Sequence, residues 1–248
     1  MESDIMDNSS KRDYDLLFQD LRDESLRLRM ASFDTFIEDI LRGDLKAKGT
    51  ISDFLSVIRV EIIPGLAYDY DPERLGALIH ALKALCKLCK KAPDSGNFVP
   101  FIKTCLNLTG MPYYNVKASS IEALGKLYSI NPDELDDDSA NKLLRFFDSE
   151  SPEIRSATAS AWSDIAVTNP EKAVLAISPA YKLLQDNDSN VRAESAGFFH
   201  TLADEDCGEC TVALPLLRQL KDNDPNILVR ERAGAAVLAI DNSFGSLF

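Results

Sequence analysis

Apolar residues return along the second half of the chain at a fixed distance from a repeated basic residue. Lys117, Arg155, Arg192 and Arg230 are spaced 38, 37 and 38 apart. Seven positions after each stand Leu124, Trp162, Phe199 and Val237, and three further on stand Leu127, Ile165, Leu202 and Ile240. Offsets of seven and ten from one anchor place both sets on a single helical face. "ERLGALIHALKALCKL" (73–88) fits the same template at a longer spacing with Leu82 and Leu85 as its core positions, and "DESLRLRMASFDTFIEDIL" (23–41) is a looser copy. A second helix precedes each of these: "EIIPGLAYD", "NFVPFIKTCLNL", "ANKLLRFF", "AISPAYKLLQD" and "VALPLLRQLKD". Four of the five carry a proline, at Pro64, Pro100, Pro179 and Pro215, a residue tolerated early in a helix and bending it further in. Alternating runs of β-branched residues between turn dipeptides are nearly absent, so the chain reads as all-α.

The joints between paired helices explain the most metal-like stretch, "QDNDSNVRAESAGFF" (185–199). Asp186, Asp188 and Asn190 alternate as calcium ligands do. However, the sixth and twelfth loop positions, where an EF-hand needs Gly and Glu, are Val191 and Gly197. The stretch is echoed at 222–240, 148–166 and 110–128, and its polar cluster suits the end of one helix and the capped start of the next. In the last copy, "DPNILVRER", one extra residue before Val–Arg predicts a longer turn.

Two helices per 37–45 residues, with L-x-x-L-x-D-x-D-x-x-V-R-x-x-A-x-x-A-L readable from Leu183 to Phe199 and again from Leu217, resemble the HEAT/armadillo repeat family. The resemblance covers roughly residues 14–241, strongly in the last four units. It implies a right-handed α-solenoid of about six HEAT-like helical hairpins, with 1–13 as a disordered tail and 14–248 as one domain. It also implies a ladder between repeats built from Lys117, Arg155, Arg192 and Arg230 with Asp188 and Asp224.

Composition narrows the function. The net charge of −13 opposes nonspecific binding to nucleic acid or anionic lipid. It is uneven: −7 over 1–77, +5 over 78–126 and −11 over 127–248. No apolar run is long enough to span a membrane, and "MESDIMDNSSKRD" lacks the apolar stretch of a signal peptide. Five cysteines argue for a reducing compartment, so the expected location is the cytoplasm.

Candidate chemistry is sparse. His80 and His200, the only histidines, lack the His-Glu dipeptides by which a HEAT-like hydroxylase would hold iron, and phosphate loops, nucleophile elbows and H-E-x-x-H are missing. Two C-x-x-C pairs, Cys86/Cys89 and Cys207/Cys210, lie about three helix layers apart, on the order of 30 Å, too far for one zinc ion. Cys86 and Cys89 read as core. Cys207 and Cys210 lie in a turn beside Asp204, Glu205, Asp206 and Glu209, where a labile disulfide or a metal half-site stays open.

Catalysis, a cofactor and a resident metal are therefore not expected. The second helices of a solenoid line its concave side, the surface such proteins use for binding. Positions just after each core residue point away from the core. They nominate Lys83, Gly125, Lys126, Ser163, Asp164, His200 and Thr201, and the same helices continue to Lys87, Lys90, Lys91 and Asp204. Lys83, Lys87, Lys90 and Lys91 fall within an arc of about 100° opposite Leu82, Leu85 and Cys89. The inner face is expected to run from basic through neutral to acidic. That pattern suits a monomeric scaffold or adaptor holding a peptide or helix of another protein. The alternatives are a HEAT-like enzyme or accessory protein using the cysteine pairs, and nucleic-acid binding through the lysine island.

Overall fold

The computed structural model describes residues 14–23, 25–43, 52–59, 63–64 and 72–244. The expected tail at 1–13, most of the "EIIPGLAYD" helix, and Leu247 and Phe248 lie outside the described residues. The helices are α1 (Tyr14–Asp20), α2 (Leu26–Arg42), α3 (52–57), α4 (Pro72–Lys91), α5 (Val99–Leu108), α6 (Tyr114–Ile130) and α7 (Asp137–Leu144). They continue as α8 (Pro152–Ala166), α9 (Pro170–Ala173), α10 (Ile177–Leu183), α11 (Ser189–Asp204), α12 (Leu214–Asn223) and α13 (Ile227–Phe244). Among the described residues there is no strand. The chain is an all-α solenoid.

Local chemistry sets the helix boundaries. Ser25, Asp136, Ser151 and Asp188 each cap a helix by accepting a first-turn backbone N–H, and Pro152 opens α8 where its missing N–H costs nothing. Gly43 ends α2 at φ 84°, its N–H closing on the Asp39 and Ile40 carbonyls in the left-handed geometry that glycine adopts without strain. The first helices are less regular. The "ANKLLRFF" segment is α7 followed by a 3-10 turn at Arg145–Asp148, and α9 and α10 are separated by another at Val174–Ala176.

The second helices stack in sequence: α2 on α4, α4 on α6, α6 on α8, α8 on α11 and α11 on α13. Their shared face forms one continuous core that includes Leu82, Leu85, Leu124, Trp162, Phe199 and Val237. Trp162 is fully buried, and its indole N–H meets no acceptor among the described residues.

Two expectations need correction. Gly125 does not face the concave solvent: it is buried against α8, where a Cβ would lie 2.5 Å from Ala161 Cα. The absence of a side chain is what allows α6 and α8 to approach so closely. Nor is the last turn longer. Asp224 precedes Arg230 by six residues, as Asp186 precedes Arg192, and Asn226 caps α13 as Asp188 caps α11. The additional length lies in the preceding helix, ten residues in α12 against seven in α10.

Candidate functional site

Between the repeats runs a chain of arginine clamps. Arg155 donates through Nε and Nη2 to both carboxylate oxygens of Asp186, at 2.7 and 2.8 Å, and through Nη1 to the Ser149 and Glu150 carbonyls. Arg192 repeats this one layer on, to Asp224 at 2.7 and 3.0 Å and to the Asp186 and Asn187 carbonyls. Arg230 makes the carbonyl bonds to Asp224 and Pro225. The guanidiniums of Arg155 and Arg192 thus grip their own loop and the next one, using the planar fork that only arginine has, and Arg230 grips its own loop. Lys117 occupies the same place but has no carboxylate partner among the described residues; the residue six before Arg155, where Asp186 and Asp224 stand in the next two loops, is Ser149.

The carboxylate partner of Arg155 is Asp186, not the expected Asp188, whose Oδ1 is committed to the Asn190 and Val191 N–H groups. Asp186 and Asp224 also accept from the N–H two residues on, at Asp188 and Asn226. Burial alone would raise the Asp186 carboxyl, but the Arg155 fork and the Asp188 N–H outweigh it and hold it below the usual range. For Asp224 the Arg192 fork dominates and holds it down likewise.

The residues nominated on the inner face divide into two strips. Toward the C-terminal ends of the second helices they bond to one another. Lys126 pairs with Asp164, 38 residues away, so it does not extend the free lysine arc. Ser163 and Thr201 share a hydrogen bond of 2.8 Å across the α8–α11 joint, and His200 lies 3.5 Å from Asp204 within α11. Burial raises the Asp164 carboxyl in spite of the Lys126 ammonium, and its second oxygen has no partner among the described residues. Lys83, Lys87, Lys90 and Lys91 are exposed on α4. His80 on the same helix meets Asp34 of α2 at 2.6 Å, beside a cavity of about 220 Å³ that Lys83 and Lys87 also line.

Toward the N-terminal ends lies a groove of about 560 Å³, walled by α4, α6, α8 and α11. Of its carboxylates the sequence pointed only to Asp188, and as a ladder residue. Glu122, Glu153, Asp188 and Glu194 line it with Lys83 as the cation, between the neutral polar groups of Asn115, Ser119, Ser156 and Asn190. The middle of the inner face is therefore acidic where it was expected to be neutral. Burial raises the Glu122 carboxyl first of all; Lys83 opposes the rise, and Glu194, two repeats away, adds to it. A carboxylate that is partly stripped of water and faces another carboxylate is stabilised by an incoming cation.

The described residues hold no cluster of His, Cys, Asp and Glu able to bind a metal ion, and no helix long and apolar enough to cross a membrane. Cys89 and Cys105 are buried and Cys86 is partly so, all within the core of α4 and α5.

No protein-family model matches the sequence, and no curated protein does. Solved structures do match. A designed armadillo repeat protein superposes with a TM-score of 0.58 at 18% identity, over 91% of this chain and 98% of its own. An engineered protein reaches 0.62 at 20% identity, over 94% and 98%. A designed armadillo repeat protein in complex with the peptide (KR)4 gives 0.59 at 18% identity, over 91% and 98%. The fold is an armadillo/HEAT-type repeat solenoid.

Proposed function

We propose that this chain is a non-catalytic interaction scaffold that holds an extended segment of another protein in the groove of its second helices. The observation that carries the reading is the groove itself, in which four successive layers contribute to one polar trough with Glu122 at its centre, Glu194 beside it at 3.8 Å from Arg232, and an exposed lysine face at one edge. Three inter-helix steps of roughly 10 Å give a length of about 30 Å, enough for about nine extended residues. The favoured segment places lysine or arginine over Glu122 and Glu194, and acidic residues toward Lys83, Lys87 and Lys90. A designed armadillo repeat protein in complex with the peptide (KR)4 supports the idea by analogy of fold alone.

The test uses labelled synthetic peptides of equal length in fluorescence anisotropy, one basic, one acidic, and one basic then acidic. The basic-then-acidic peptide is expected to bind best. Glu122→Gln with Glu194→Gln should weaken its basic half, and Lys87→Glu with Lys90→Glu should slow association and reduce its salt dependence. Equal binding of all three peptides, unchanged by either double variant, would sink the reading.

A further inference from the structure

We propose that Cys207 and Cys210 form a thiol–disulfide exchange site for low-molecular-weight disulfides, reacting with cationic ones ahead of anionic ones. The inference is independent of the peptide groove. The two cysteines begin the 3-10 segment Gly208–Ala213, with Cys207 as its N-cap, and the Cys210 N–H donates to the Cys207 carbonyl at 3.1 Å. A turn closed in this way keeps its end Cα atoms within about 7 Å. Disulfides need Cα atoms within about 6.8 Å. Cys207, as the N-cap, has extended dihedrals (φ −82°, ψ 96°), so the pairing of the two thiols rests on this closeness of the backbone. The backbone before them is fixed as well. Asp206 holds φ 53°, and the Cys207 N–H donates back to the Leu202 carbonyl at 2.9 Å.

Accessibility sets the order of attack. Cys207 is 8% exposed and Cys210 fully covered. The Cys207 thiol donates to a Glu209 oxygen at 3.3 Å, a contact that holds the proton on sulfur, so the attacking thiolate forms by loss of that proton to hydroxide. The Cys207 thiolate attacks one sulfur of R–S–S–R, forming a mixed disulfide and releasing RS⁻, which takes up a proton. Cys210, once deprotonated, then attacks the Cys207 sulfur and displaces the second thiolate RS⁻, which takes up the proton that Cys210 gave up. Two protein thiols are oxidised by two electrons, and one small disulfide is reduced to two thiols.

The choice of reagent follows from charge. Asp204, Asp206 and Glu209 are exposed and Glu205 is half-buried, all within three residues of Cys207 in sequence, so the local field attracts a cationic disulfide and repels an anionic one. Burial, then Glu209, raises the Cys207 thiol, and burial pushes Cys210 up to about 12, so exchange should speed up with rising pH. The ring to be closed is short and constrains the unfolded chain little, which makes the bond a local chemical mark and not a staple for the fold.

The experiment incubates the full chain with cystamine, which is cationic, or with glutathione disulfide, which is anionic, then blocks free thiols with N-ethylmaleimide. Mass spectrometry follows the tryptic peptide 193–218, which contains these two cysteines and no others. The wild type should lose two hydrogens in that peptide, and Cys210→Ser should stop at one adduct on Cys207. Cystamine should react several-fold faster at low salt, with the gap narrowing at high salt. A persistent mixed disulfide in the wild type, or no loss of hydrogens, would overturn the site. Equal rates for the two reagents at low salt would overturn the charge preference.

Discussion

Replacing Gly125 by alanine sets two opposing effects against each other. In a helix interior with open space around it, Gly→Ala stabilises by about 0.5–1 kcal/mol, because glycine loses the most backbone freedom on folding. At Gly125 the added Cβ would lie 2.5 Å from Ala161 Cα, 2.8 Å from its Cβ and 2.9 Å from its carbonyl oxygen. Carbon atoms in contact normally stand about 3.5–4.0 Å apart, so α6 and α8 would have to separate by roughly 1 Å. The obstacle is mainly backbone, which no rotamer change can relieve. Overpacking costs about 1–3 kcal/mol, and an obstacle of this kind belongs at the upper end. Set against the helical gain, the expected net loss is about 2 kcal/mol. Gly76 on α4 is the internal control, exposed and with nothing within 4 Å of a Cβ. Gly76→Ala should raise stability by about 0.5–1 kcal/mol. Urea denaturation followed by circular dichroism compares the midpoints. If Gly125→Ala proved as stable as Gly76→Ala, the close approach of α6 to α8 would be refuted.

The arginine clamps yield two further expectations. Arg192→Ala leaves Asp224, whose side chain is only 3% exposed, without its fork and should cost about 3 kcal/mol in urea denaturation; Arg192→Lys should recover only part of this, and full recovery would mean the bidentate geometry is idle. Asp186 and Asp224 are held below the unfolded-state carboxyl value of about 3.9, so their contribution is complete above about pH 4 and is lost as pH falls through the lower folded values. Asp224→Asn should therefore lower the urea midpoint at pH 7 but flatten its decline toward pH 3, and an unchanged slope would count against the clamp.

The parts of this structure legible in the sequence are those set by burial within one helix. Leu124, Trp162, Phe199 and Val237 stand out because a shared core face demands apolar side chains at one register. What depends on how layers are superposed was harder to read. Asp186 looked like one more polar loop residue beside Asp188, and only the stacking of α8 on α11 shows which of them meets Arg155. Gly125 carries no side chain to announce its direction, so counting positions placed it on the wrong face. Glu122 and Glu194 share a groove only because α8, which lies between them in sequence, does not separate them in space. Lys126 read as a free charge until Asp164 was brought to it from 38 residues away.

Each arginine clamp spans one joint and is indifferent to which joint it is. Arg155 and Arg192 grip equivalent loop atoms, and the segment from one to the next is 37 residues. Excision of residues 156–192 would leave Arg155 facing the loop of Asp224, with the spacing that Arg192 now has. Excision or duplication by 37 residues thus keeps the register of the arginine–carboxylate clamp, whereas a few residues gained inside a clamped loop shift both the carbonyls and the carboxylate that it presents. The feature that fastens neighbouring repeats also makes length in this protein change in whole units.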